Sequence, residues 1–122
     1  MKNNTPTEFE EQMAFVRWMI AKGLKFTSIP NSTYTSSWNQ KRKNKDSGLN
    51  PGIPDLIILI PNVGIAFVEM KRTKGGKVSN SQEEWIKKIN EIPCAQAKVC
   101  HGANEAIAFI GQLTEYNQTS CL

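Results

Sequence analysis

The chain has 122 residues, 39% of them hydrophobic and 21% charged, with a formal net charge of +4. That is enough for one domain with its own core, and the balance excludes a low-complexity or fibrous chain. No apolar run approaches the roughly 18–20 residues of a membrane span, and the N-terminal MKNNTPTE has no apolar leader segment. Cys94, Cys100 and Cys121 have no metal-type spacing and leave an odd thiol, which suits a reducing compartment. The expectation is a single cytoplasmic domain over 1–122, disordered over about 1–6 and frayed over about 117–122.

Taken in order, residues 7–22 predict an amphipathic helix. Thr7 can cap it, and Glu8, Glu10 and Glu11 suit the positive end of its dipole. Phe9, Met13, Val16 and Ile20 recur at helical spacing, Phe15 and Met19 widen the stripe, and Gly23 ends it. Residues 24–29 predict a short strand that stops at Pro30. Residues 31–51 are polar, with Tyr34, Trp38 and Leu49 as their large apolar groups. Residues 36–47 read either as a basic helix capped by Thr35 or Ser36 or as a solvated loop. Lys41, Arg42, Lys43 and Lys45 could meet phosphates there while Trp38 and Tyr34 stack on bases.

Two apolar runs, 52–60 and 65–70, are folded into a hairpin by the turn-forming Pro61, Asn62, Val63 and Gly64. Asp55 opens the first run, and Glu69 and Lys71 close the second on one strand face, with Met70 on the other. Lys71, Arg72, Lys74 and Lys77 form a second basic cluster. Ser79 and Gln82 form a capping box that starts a helix to about Ile92, with Trp85, Ile86 and Ile89 as its stripe. A strand over 97–100 and a helix from Ala103 to Leu113 or Tyr116 complete the chain. The order predicts an α/β fold: a small mixed sheet with a central antiparallel hairpin, helices on its faces, and a parallel pair closed by the third helix.

Asp55 and Glu69 on adjacent strands can converge their carboxylates into an oxygen site of the kind Mg²⁺ or Mn²⁺ prefers. Lys71 could then stabilise negative charge on a phosphoryl group. The competing reading is a salt bridge among Asp55, Glu69 and Lys71 at a sheet edge. The single histidine, His101, leaves no His-based triad or multi-histidine zinc site and reads as structural or solvated, and Gly75-Gly76 is not part of a phosphate-binding loop. Basic clusters on both sides of paired acids suit a polyanion.

The string from Gly48 to Asp55, the segment Phe67-Val68-Glu69-Met70-Lys71, and the run from Gly75 to Trp85 resemble the VRR-NUC family of the PD-(D/E)XK nuclease superfamily. The acidic start Glu8 to Gln12 with Trp18 is similar to that family's first helix, and Cys100 to Ala106 to its last strand-to-helix junction. The resemblance implies a restriction-endonuclease-like core and a metal-dependent DNA endonuclease, possible selectivity for junctions or flaps, and no organic cofactor. It implies Asp55, Glu69 and the Met70 carbonyl as ligands of Mg²⁺ or Mn²⁺, Lys71 as the catalytic lysine, and Gln82 as an orienting residue. A glutamate from the first helix is assigned to Glu11, with Glu8 as the alternative. Expected DNA contacts are Trp38, Lys41, Arg42, Lys43, Lys45, Arg72, Lys74 and Lys77. Homodimers occur among small phage members of this kind, which would place the chain in host cytoplasm. A non-catalytic binding module on the same fold is the alternative, disfavoured because Asp55, Glu69 and Lys71 are all present.

Overall fold

The computed structural model describes residues 5–30 and 37–115. Their elements run α1 (Glu8–Ala21), β1 (Lys25–Ser28), α2 (Trp38–Asp46), β2 (Leu56–Ile60), β3 (Gly64–Lys71), α3 (Asn80–Asn90), β4 (Ala95–His101) and α4 (Ala103–Thr114). The strands form one sheet in the order β1-β2-β3-β4. The β1–β2 and β2–β3 pairs are antiparallel, and β3–β4 is parallel. The mixed α/β architecture with a central hairpin is therefore the one expected. Among the described residues, no helix is long and apolar enough to cross a membrane.

The hairpin forms because its apolar runs are β-branched and its turn suits a reversal. Asn62 takes a left-handed conformation (φ 67°), which asparagine tolerates, and the Val63 N–H donates to the Ile60 carbonyl at 3.0 Å. Strand alternation then sorts the side chains. Leu56, Ile58 and Ile60 of β2 and Ala66, Val68 and Met70 of β3 enter a core shared with Phe15 and Met19 of α1 and Ala106, Ile110 and Leu113 of α4. Burying each of the larger side chains contributes about 1.5–3 kcal/mol. The opposite face meets α3, whose Asn90 side chain clamps β4: its Nδ2 donates to the Ala97 carbonyl (3.0 Å) and its Oδ1 accepts the Ala97 N–H (2.8 Å).

Some expectations shift. The face of α1 that enters the core is centred on Phe15 and Met19, whereas Phe9 and Ile20 of the expected stripe are 68% and 64% exposed. Apolar residues occur on several sides of this helix, so its period leaves the inward face open. The basic-helix reading of 36–47 holds as α2, with Ser37 as its cap. Tyr34, the caps expected at Thr35 or Ser36, and the ends 1–4 and 116–122 lie outside the described residues. Cys100 is a free buried thiol, but Cys94, expected to be reduced, is disulfide-bonded.

Asn90→Ala removes two hydrogen bonds between α3 and β4, and is expected to cost about 1–2 kcal/mol in urea denaturation, with the folded state's far-UV spectrum unchanged.

Candidate active site

The site is built at the end of the hairpin where pairing between β2 and β3 stops. The last paired residues are Leu56 and Val68. Carried two residues further, the same register would set Pro54 opposite Met70, but the ladder has ended there, and proline has no N–H to give to the Met70 carbonyl. The Met70 N–H, on the same edge, donates instead to Asp55 Oδ2 at 2.8 Å. The Asp55 carbonyl accepts the Ile29 N–H at 2.7 Å. Asp55 is thus fixed from both neighbouring strands, and its carboxylate lies beside Glu69.

Glu69 is only 3% exposed. Gln82 Nε2 donates to its Oε2 at 2.7 Å, and Lys71 Nζ lies 3.6 Å from the same oxygen. Its other oxygen, Oε1, is buried and lacks a hydrogen-bond partner. Burial first, and then the Asp55 charge, push the Glu69 carboxyl up to about 7; Lys71 opposes this and Glu8 adds to it. Burial also raises Asp55, against the Met70 N–H, Lys71 and Glu69. The expected Lys71–Glu69 ion pair exists, yet it leaves Asp55 on a backbone amide and Glu69 with an oxygen to offer. Pairing alone does not account for the cluster.

Gln82 serves two purposes at once. Its Oε1 accepts the Ser79 N–H at 2.9 Å to close the capping box, which leaves the amide nitrogen directed at Glu69. Cap and site contact are therefore the same side chain, not competing readings.

The two glutamates of α1 separate. Glu11 Oε1 accepts the Ala103 N–H at 2.8 Å, at the start of α4, where the N-cap Gly102 (φ 99°) has no side chain to do so. Glu8, one turn earlier, is the α1 acid whose charge reaches Glu69. Glu11 is thus engaged with the start of α4, and Glu8 acts on Glu69 through its charge. The signal that could have found this is the absence of any capping side chain before Ala103.

The expected DNA contacts are exposed in two segments. Trp38, Lys41, Arg42, Lys43 and Lys45 are exposed on α2, with Lys41 Nζ 5.1 Å from the Trp38 ring centroid. Arg72, Lys74 and Lys77 are exposed in the loop after β3. His101, read as structural or solvated, donates from its Nδ1 to the Arg72 carbonyl at 3.1 Å, at the start of that loop. Sequence reasoning missed the bond from Trp85 Nε1 to the Pro51 carbonyl (3.0 Å), which ties the segment before Asp55 to α3.

Among the described residues no three His, Cys, Asp or Glu side chains form a ready cation cluster. Two carboxylates with an unsatisfied oxygen still fit an ion that takes few protein ligands and completes its shell with water and phosphate, as Mg²⁺ does.

A family model described as VRR-NUC domain matches residues 3–104. A solved structure described as a VRR-NUC domain protein is 27% identical and superposes with a TM-score of 0.66, over 90% of this chain and 89% of that one. No curated protein matches.

Two outcomes follow from the geometry. Glu11→Ala is expected to lower stability by about 1–2 kcal/mol by uncapping α4, while Glu8→Ala leaves the melting temperature unchanged. The folded state retains a proton on Glu69 that the unfolded chain releases above its ordinary 4.5, so in EDTA stability is expected to fall as pH rises from there through about 7. The fall is at most about 3 kcal/mol, and Glu69→Gln flattens it in pH-dependent melts.

Proposed function

The chain belongs to the VRR-NUC domain family of PD-(D/E)XK-like nucleases, and on that premise we propose that it is a metal-dependent DNA endonuclease hydrolysing phosphodiester bonds. The observation that carries the reading is the pairing of half-buried Asp55 with buried Glu69, whose Oε1 has no partner while Lys71 and Gln82 approach its Oε2.

Asp55, Glu69 and the Met70 carbonyl would hold Mg²⁺ or Mn²⁺, for which the proline opposite Met70 leaves the carbonyl without a strand donor. Such an ion polarises the phosphodiester and lowers the pKa of an attacking water. The protein's own groups do the rest. Gln82 holds Glu69 Oε2 so that Oε1 stays directed at the site. Lys71, held against Glu69, would offer an ammonium to the negative charge on the phosphoryl oxygens as water adds to phosphorus. The helix-borne acid is proposed as Glu11 or Glu8: Glu8 carries the charge that acts on Glu69, and Glu11 the hydrogen bond to Ala103.

The exposed cations of α2 and of the loop after β3 flank the carboxylates and favour a nucleic-acid backbone, the two sides gripping phosphates while the reactive one approaches the acids. Branched DNA such as a junction or flap is the proposed preference. A homodimer would suit a substrate of two-fold symmetry.

The test is incubation with labelled duplex, flap and four-way junction in Mg²⁺, Mn²⁺ or EDTA. Cleavage is expected with the metals and lost in EDTA. Asp55→Ala is expected to lower the rate about 100-fold or more while DNA binding persists. Absence of metal-dependent cleavage on every substrate overturns the reading and leaves a binding module.

A further inference from the structure

The surface is hollowed where α2, the segment 48–53 and α3 meet. Two cavities of about 350 and 380 Å³ share Leu49 and Asn50, volumes within the range of small-ligand sites. The first is mainly apolar, lined by Ile29, Pro30, Leu49, Ile53 and Trp85. The second is cationic, with Lys41, Lys45 and Asn44 on its α2 side. An apolar recess that adjoins two ammonium groups, with the Asn50 amide shared between them, is complementary to a nucleotide: an aromatic ring with a polar edge, attached to phosphate.

The slot's wall is fixed. Trp85 Nε1 donates to the Pro51 carbonyl at 3.0 Å. Gly52 (φ 105°) lies so close to α3 that a Cβ there would come within 2.7 Å of the Ser81 backbone, so the contact admits no larger residue. The segments that form the slot also carry the site: Ile53 precedes Asp55 by two residues, and Trp85 follows Gln82 by three.

We infer that this slot receives one unpaired nucleobase of the bound nucleic acid, with the Asn50 amide at the base edge and Lys41 and Lys45 on the adjoining phosphates. A base stacked within a duplex has both faces covered and cannot enter such a slot, so the ligand is a nucleotide already out of the helix. This assignment rests on the nuclease reading for the identity of the polymer, and it adds which part of the polymer is held.

The experiment measures fluorescence-anisotropy binding of the intact protein in EDTA, so that no metal-dependent cutting intervenes. Two labelled duplexes of one sequence are compared, one with a single unpaired adenosine and one fully paired. The expected result is about 10-fold tighter binding of the bulged duplex. Leu49→Glu and Asn50→Ala each reduce that preference to about 2-fold, while Lys43→Ala weakens both duplexes alike and preserves the ratio. Leu49 and Asn50 are surface residues, and Asn50→Ala decides the matter if Leu49→Glu unfolds. A bulge preference that is absent from the start, that survives both variants, or that Lys43→Ala removes equally overturns the inference. Failure of cleavage with the bulge preference intact instead removes the nuclease reading and leaves the slot.

Discussion

The geometry of the site depends on the way one strand pair ends. In a regular antiparallel ladder the residue opposite Met70 would exchange two backbone hydrogen bonds with it. Pro54 can offer no N–H there, and Asp55 answers the Met70 N–H with its side chain instead. A backbone requirement thereby fixes a carboxylate. Buried N–H groups are satisfied almost without exception, so Asp55 is held where it must lie next to Glu69. The close approach of two acids is a consequence of finishing the sheet this way.

Bringing acids together under burial raises the cost of their charge, and the surrounding groups offset only part of it. Lys71 and Gln82 both approach the same oxygen of Glu69, and the other is left bare. A cluster arranged for stability would distribute its donors over both oxygens, because an unsatisfied buried acceptor costs about 1–3 kcal/mol. The asymmetry makes sense if a cation is the missing partner. It also explains why Gln82 stands at a helix start: the capping box fixes its carbonyl oxygen on Ser79 and so fixes which way its amide nitrogen points.

Much of this was legible in the residues. The apolar runs and the Pro61–Gly64 turn gave the hairpin, and strand parity placed Glu69 and Lys71 together with Met70 inward. The Ser79–Gln82 spacing located the third helix and the glutamine on it. What local pattern could not supply were contacts across long separations. Ala103 and Glu11 are 92 residues apart, and Trp85 and Pro51 are 34 apart. No period connects such pairs. The inward face of α1 escaped for a related reason: with Phe9, Met13, Phe15, Val16, Met19 and Ile20 spread around the helix, only docking against α4 and the sheet chooses Phe15 and Met19.

The division between Glu8 and Glu11 follows from that docking. Once Phe15 and Met19 face the core, Glu11, one turn before Phe15, is carried towards the sheet end where β4 passes into α4. Gly102 is needed at that junction because Thr73 and Glu11 crowd the space a side chain would take. A glycine cannot cap the helix that follows, so the cap must come from elsewhere, and Glu11 is the acid within reach. Its carboxylate thereby caps α4 through the Ala103 amide. Glu8 sits at the helix start with no such tertiary amide to meet, and its field is felt at Glu69. The same helix therefore braces α4 with one glutamate and acts on Glu69 through the charge of another, one turn earlier. Fixing the first on α4 also fixes how close the second can come.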